Sequence, residues 1–151
     1  MIKGFTESNS NDSSTIVSID NCNVNIHFWD ISSHKESDEL RILNYANTDI
    51  FLLCFAMNDS QSLQNLETKW NPEVSQFSKN SIRFVVGNKI DLLLDTSSTM
   101  KKKEIVLSKR EIGTCVKRIG AVDYCMCSAK TKEGLYGVLH QSIRLLLQRR
   151  K

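Results

Sequence analysis

The sequence predicts an α/β domain built on an open, mostly parallel β-sheet. Two near-continuous apolar runs of strand length, TDIFLLCFAM at 48–57 and IRFVVG at 82–87, are typical of strands buried on both faces of a parallel sheet. Segments between and after these runs repeat apolar residues every three or four positions, which indicates amphipathic helices. Strands that alternate with helices in this way predict a mostly parallel sheet.

Length and composition set the class of protein. The chain has 151 residues, 40% hydrophobic and 25% charged, which fits one globular domain with its own core. The net charge is only +3, and the basic residues are spread along the chain except for KKK at 101–103 and RRK at 149–151. This distribution does not indicate nucleic-acid binding. We expect a cytoplasmic protein, because the sequence has neither a run of about 20 apolar residues nor a signal-peptide pattern.

The five cysteines are an odd number, and several lie in or beside apolar runs. We therefore expect reduced thiols in the core. The pair in YCMCS is Cys-x-Cys, and no second cluster of Cys or His completes a tetrahedral site, so zinc is not expected.

The N-terminal part of the sequence is polar and then strand-forming. TESNSNDSS, rich in Asn and Ser, has no apolar period, so residues 1–14 are expected to form a disordered tail. STIVSID at 14–20 and VNIHFWD at 24–30 predict a β-hairpin through the turn-forming NCN. A short helix is expected near Glu39 to Tyr45.

The helix after the run at 48–57 carries a start signal and a break. Asp59 or Ser60 can cap its first turn. The step from Asn71 to Pro72 should bend or restart it, because proline lacks the N–H that a helix interior uses.

The C-terminal part continues the alternation. A polar insertion at 95–107 precedes a helix that should begin near Ser108 and end at Gly120, a natural left-handed stop. A short strand within 121–127 and a last helix over about 132–148 complete the domain, and 149–151 is a basic end.

Two polar turns follow predicted strands. Asn88-Lys89-Ile90-Asp91 comes after the run at 82–87, and Ser128-Ala129-Lys130 comes after the strand within 121–127. In open parallel sheets, ligands bind beyond the carboxyl ends of the strands. These two turns are therefore the candidate binding site.

The residue types in these turns suit a guanine ring. The carboxylate of Asp91 only accepts hydrogen bonds, so it can take two from the adjacent N1 and N2 donors of guanine, a pair that adenine does not offer. The long stems of Lys89 and Lys130 can sandwich a flat base, and the amide of Ala129 is expected to be free to donate to a carbonyl oxygen. The alternative is that Asp91 caps a turn and that both lysines are solvated surface.

The chain resembles a known family. VNIHFWD, TDIFLLCF, KWNPEV, VVGNKIDL and IGAVDYCMCSAKTKEGL occur in the order and spacing of Rho-type small GTPases of the Ras superfamily, over roughly 15–148. KWNPEV and the insertion at 95–107 favour the Rho branch. The resemblance implies the G domain of P-loop GTPases and a switch in signalling to the actin cytoskeleton.

The same resemblance implies site roles, ligands and partners. Asn88, Lys89 and Asp91 would form the guanine-specificity loop, and Ser128, Ala129 and Lys130 would form its second wall. Asp30 would hold a magnesium-bound water. The ligands would be GTP or GDP with Mg²⁺, and the protein partners would be Rho regulators or effectors.

The sequence departs from this family at the phosphate-binding elements. It contains no glycine-rich loop that ends in Gly-Lys-Ser/Thr, and the family's first strand and first helix have no counterpart. The fold is therefore expected to be truncated at the N-terminus, with two central ladders unpaired unless their neighbours close on each other. The segment Asp30-Ile31-Ser32-Ser33-His34 replaces Asp-x-x-Gly-Gln, so we assign no catalytic residue.

These departures leave three readings open. The chain is a Rho-type guanine-nucleotide-binding protein that holds GTP or GDP only weakly, a nucleotide-independent binding module for Rho regulators or effectors, or a fragment without independent function. The C-terminal LLLQRRK has no nearby cysteine for prenylation, and RRK is interpreted as a solvated helix end. We therefore expect no stable membrane anchor.

Overall fold

The computed structural model describes residues 2–3, 13–31, 38–93 and 107–149. Their strands are β1 (Ile2–Lys3), β2 (Ser13–Ile19), β3 (Cys22–Phe28), β4 (Ile50–Ala56), β5 (Ile82–Asn88) and β6 (Asp123–Met126). Their α-helices are α1 (Asp38–Leu43), α2 (Ser60–Asn65), α3 (Asn71–Phe77), α4 (Lys109–Arg118) and α5 (Leu135–Arg149). The insertion at 95–107, apart from Leu107, lies outside the described residues, as do Lys101 to Lys103.

The described strands form one mixed sheet in the order β2-β3-β1-β4-β5-β6. β4, β5 and β6 pair in parallel, and β2 and β3 pair antiparallel along their whole lengths. Because β1 is antiparallel to both β3 and β4, those two strands run in the same direction. The carboxyl ends of β3 to β6 therefore point the same way, and the predicted α/β class is confirmed.

The predicted N-terminal hairpin is present. Its turn is formed by Asp20 and Asn21, which take φ values of 50° and 63°. Positive φ at two consecutive turn residues matches the twist of an antiparallel pair, and Asp and Asn tolerate it better than most residues. Arg144 of α5 donates to Asp20 at 2.8 Å, so the hairpin turn is tied to the last helix.

β1 occupies part of the gap expected between the hairpin and β4. Ile2 pairs with Phe28 on one side and with Ile50 on the other, and Lys3 pairs with His27. The alternative that β3 and β4 close directly on each other is therefore not found, because β1 lies between them. The expectation of a disordered tail over 1–14 falls mostly on residues 4–12, which lie outside the described residues.

The helical segment after β4 is interrupted as its proline suggests. Asp59 accepts hydrogen bonds from the amides of Gln61 and Ser62, so it is the predicted cap. A π-helical turn, Leu66–Trp70, separates α2 from α3, and the amide of Asn71 donates to the carbonyl of Leu66. This wider turn lets the helix restart just before Pro72, which has no amide proton to contribute.

The last two helices begin and end at recognisable signals. Ser108 and Glu111 form a capping box at the start of α4, and Gly120, with φ of +64°, follows its end as predicted. α5 starts at Leu135 rather than near 132. The reason is that Lys132 and Gly134 take φ values of 66° and 73°, which a right-handed helix does not accommodate.

Alternation along the central strands produces a core on each face of the sheet. One core lies against α2, α3 and α4, and its fully buried members include Leu66, Val74, Val85 and Ile112. The other lies against α5 and includes Ile26, Ile50, Phe84 and Ile143. No helix among the described residues is long and apolar enough to cross a membrane.

The cysteines only partly match their predicted role. All five are free thiols, and Cys115 and Cys127 are buried. Cys22 and Cys54 are exposed, so the prediction that all five are core thiols is wrong. Cys22 begins β3 beside the hairpin turn, and Cys54 lies at an exposed position of β4.

Candidate nucleotide site

The two predicted turns meet at the carboxyl edge of the sheet. β5 and β6 are adjacent parallel strands with Gly87 opposite Met126. Beyond that pair, the amide of Cys127 donates to the carbonyl of Gly87 at 2.8 Å, and the amide of Ile90 donates to the carbonyl of Cys127 at 3.2 Å. These backbone bonds fix the first turn against the second.

Asp91 faces the second turn. It lies in a 3-10 turn, Ile90–Leu93, and its Oδ1 accepts a 2.6 Å hydrogen bond from the hydroxyl of Ser128. Ser128 is fully buried, and its Oγ also accepts from the amide of Thr131 at 3.1 Å. Among the described residues Oδ2 of Asp91 has no partner, so the half-buried carboxylate keeps acceptor capacity for a ligand.

Asn88 joins the two turns through its side chain. Its Oδ1 accepts from the amide of Lys89 at 2.7 Å and from the amide of Ala129 at 3.2 Å. The prediction that the Ala129 amide is free is therefore wrong. A ligand carbonyl oxygen would have to displace Asn88 from that amide, and this bond is the longer of the two.

Lys89 and Lys130 are exposed on either side of these contacts. Lys89 has φ of +66°, a left-handed conformation that costs a residue with a side chain about 1–2 kcal/mol. The bond from its amide to Asn88 compensates for part of this strain. Neither lysine forms an ion pair with the described residues, so both stems remain able to flank a planar ring.

The second turn is held in shape by the loop that follows it. The amide of Ser128 donates to the carbonyl of Glu133 at 2.9 Å. The next residue, Gly134, has φ of +73°, and a Cβ there would lie 2.3 Å from the carbonyl oxygen of Met126. Glycine is therefore required where this loop closes against the end of β6.

Asp30, the predicted magnesium-associated residue, lies away from both turns. It is exposed after β3 and lines a cavity of about 420 Å³ that none of the turn residues line. The described residues contain no group of three His, Cys, Asp or Glu side chains that could hold a metal ion. Ser32, Ser33 and His34 lie outside the described residues.

Sequence reasoning missed a buried charged network under α1 and α3. The guanidinium of Arg41 donates two bonds, of 2.8 and 2.9 Å, to the carboxylate of Glu73, which also accepts from the hydroxyl of Tyr45 at 2.5 Å. The bonds from Arg41 lower the pKa of Glu73, whereas burial raises the pKa of Tyr45. Glu73 lies in KWNPEV, but nothing in the sequence pairs it with Arg41 or Tyr45, and only the fold brings the three together.

The fold and the two turns define the class of protein. A mixed α/β sheet with parallel β4, β5 and β6, and with two polar turns beyond the carboxyl ends of β5 and β6, fits the arrangement of a G domain. Residues 5–148 match the family described as the Ras family. The chain belongs to this family. It is therefore a small GTPase-like nucleotide-binding protein, and Ras-family small GTPases in general bind GTP or GDP and Mg²⁺.

Proposed function

We propose that this protein is a Rho-type member of the family that binds the guanine ring of GTP or GDP through its two turns, weakly and without appreciable hydrolysis. The observation that carries the proposal is the 2.6 Å bond from Ser128 to Asp91, which holds the carboxylate beside the second turn. By resemblance, the role would be in signalling to the actin cytoskeleton in the cytoplasm.

The proposed recognition assigns a task to each side chain. Asp91 accepts from the N1 and N2 donors of guanine, while Ser128 keeps its carboxylate oriented. The amide nitrogen of Asn88, which has no partner among the described residues, donates to a ring acceptor. Lys89 and Lys130 cover the two faces of the ring, and Ala129 donates to the ring carbonyl once Asn88 releases its amide.

Weak binding follows from the phosphate side. The sequence contains no Gly-Lys-Ser/Thr loop, and each charge-assisted bond to a phosphate contributes about 1.5–3 kcal/mol. Four or five missing bonds remove about 6–15 kcal/mol, which lowers affinity by at least about ten-thousandfold. The base would then supply most of the binding free energy, and GTP and GDP would bind alike.

Calorimetric titration with guanosine, GDP and GTP tests this proposal. We expect dissociation constants in the micromolar range or weaker that differ little among the three ligands. Adenosine serves as the control and should not bind measurably. Nanomolar binding of GTP with clear discrimination against GDP would contradict the proposed loss of phosphate recognition.

A second candidate function is a nucleotide-independent module that binds Rho regulators or effectors. The observation that favours it is the altered phosphate segment at 30–34, which lacks the family's Gly-Gln pair. The two candidates differ in what the purified protein contains. Guanine nucleotide released on denaturation would support the first, whereas nucleotide-free protein that does not bind guanosine would support the second.

A further inference from the structure

The two edges of β4 are paired unequally. Toward β5, all seven residues form a parallel ladder from Ile50 to Ala56. Toward β3, only Ile50 is paired among the described residues, through Ile2 of the two-residue strand β1. Within the described residues, a central strand of the sheet therefore has one edge that is mostly unpaired.

The backbone groups that face this edge can be identified. The carbonyl of Asp49 accepts from Ile82, and the amide of Met57 donates to Asn88, so odd-numbered residues direct their polar groups toward β5. Because direction alternates along a strand, Leu52, Cys54 and Ala56 direct theirs toward the unpaired edge.

Only part of this edge is satisfied within the described residues. The amide of Ala56 donates to the hydroxyl of Ser62 at 3.0 Å. The carbonyl of Leu52 receives only the thiol of Cys54, at 3.7 Å. The amides of Leu52 and Cys54 have no described partner. Unpaired amides on a strand edge are a template for another strand.

The space beside this edge is a slot between two strands that run in the same direction. The cavity of about 420 Å³ has Phe28 to Ile31 on one side and Phe51 to Cys54 on the other. Its floor is apolar and is formed by Leu66, Trp70 and Val74. Among the described residues that line it, Asp30 alone is charged.

β1 indicates how a strand would lie in this slot. Ile2 faces both Phe28 and Ile50 in antiparallel register, so positions before Ile2 in an extended strand would pass Asp30 and Leu52 and then Cys54. Alternate side chains would point to the floor and to the open face. Phe28 packs toward the core that contains α5, and Asp30, two residues later, lies on the same face, opposite the floor. A basic side chain of the added strand on this face would complement the charge of Asp30.

We propose that this slot is a strand-addition site for an extended peptide of a partner protein, with alternate apolar side chains and a basic residue opposite Asp30. The peptide would run antiparallel to β4, in line with β1. Main-chain hydrogen bonds to Leu52 and Cys54 would provide affinity, while the apolar floor and Asp30 would provide selectivity. This proposal does not depend on nucleotide binding.

The test uses the acetylated, amidated peptide Thr-Val-Thr-Val-Lys with the full chain. In the proposed register its valines face the floor, its lysine faces Asp30 and its central threonine pairs with Cys54. Alkylation of each cysteine is timed by mass spectrometry with and without peptide. Desolvation by the surrounding residues of the chain raises the pKa of the Cys54 thiol, which slows its alkylation. The alkylation rate of Cys54 with peptide is therefore compared with its own rate without peptide.

We expect saturating peptide to slow alkylation of Cys54 at least tenfold, while Cys22, the other exposed cysteine, serves as the matched control and is unaffected. The same peptide N-methylated at its central threonine should not protect Cys54. Asp30→Asn should weaken binding about three- to fivefold, as for an exposed ion pair, and should not affect a peptide with norleucine in place of lysine.

Several results would overturn the proposal. One is equal protection by the N-methylated peptide, which would mean that main-chain pairing is not involved. Another is equal protection of Cys22, which would indicate nonspecific association. Protection of Cys54 that rises with protein concentration in the absence of peptide would assign the slot to a second copy of this chain instead.

Discussion

The hydroxyl of Ser128 donates a 2.6 Å hydrogen bond to Oδ1 of Asp91, although 37 residues separate them in the chain. Ser128 is fully buried and Asp91 is half-buried, so this bond is partly shielded from water and restricts the direction of the carboxylate. The bond joins the two turns at Asp91, the carboxylate that the proposed site uses.

Asp91→Asn should change base preference rather than simply remove binding. The new amide group would present a donor to the N–H donors of guanine, so we expect guanosine affinity to fall about tenfold or more. Xanthosine, which has a carbonyl at C2 where guanosine has its N2 amino group, should bind the variant better than guanosine does. Calorimetry measures both, and Asp123→Asn, which changes an exposed carboxylate at the start of β6, is the matched control.

Glu73→Ala should destabilise the fold strongly. Arg41, 4% exposed, would lose both of its bonds to the carboxylate, and removal of one partner from a buried ion pair costs about 3–5 kcal/mol. Glu67→Ala is the control, because Glu67 pairs with Arg118 at 3.5 Å on the surface and such pairs contribute about 0–1 kcal/mol. Urea unfolding measures both, and equal losses would contradict the assigned role of Arg41.

The same network predicts a loss of stability in acid. Bonds from Arg41 lower the pKa of Glu73 in the folded protein, so the ionised form favours folding. This contribution is complete above the ordinary pKa of 4.5 and is lost as the pH falls through the lowered value. The difference in unfolding free energy between wild type and Glu73→Ala should therefore shrink below that pH. A constant difference down to acid unfolding would refute this assignment.

Gly134→Ala should cost more than Gly120→Ala, although both glycines have positive φ. The backbone strain that alanine would suffer is similar at the two sites, about 1–2 kcal/mol. At Gly134 the new Cβ would also lie 2.3 Å from the carbonyl of Met126, whereas at Gly120 no atom lies within 4 Å. Thermal melts should show the larger shift for Gly134→Ala. It should also weaken guanosine binding, since the loop supports Ser128.

Local signals explain why much of the fold could be predicted. Asp59 and Ser108 are caps whose side chains act on adjacent amides, and Gly120 stops a helix through its own φ, so each is readable from neighbouring residues. The start of α5 was misplaced because Lys132 is left-handed, which its residue type does not suggest.

The sequence predicted that the two turns lie together, but not the hydrogen bonds between them. Because each turn follows a predicted strand, the sequence predicted that Asp91 and Ser128 lie close together, and they are hydrogen-bonded. The amide of Ala129 donates to Oδ1 of Asn88 at 3.2 Å, and this bond forms only because the fold brings the two turns together. Neighbouring residues in the sequence give no signal for it. The insertion of β1 between β3 and β4 likewise depends on long-range pairing.

The bond between Asp20 and Arg144 spans 124 positions of the chain. Ile19 and Ile26 of the hairpin bury themselves in the same core as Val138 and Ile143 of the last helix. On a ribosome, the first hairpin would therefore emerge long before its covering helix is synthesised. The apolar face of the hairpin stays exposed to solvent until α5 is synthesised. Nascent chains should therefore depend on chaperones more than the folded protein does.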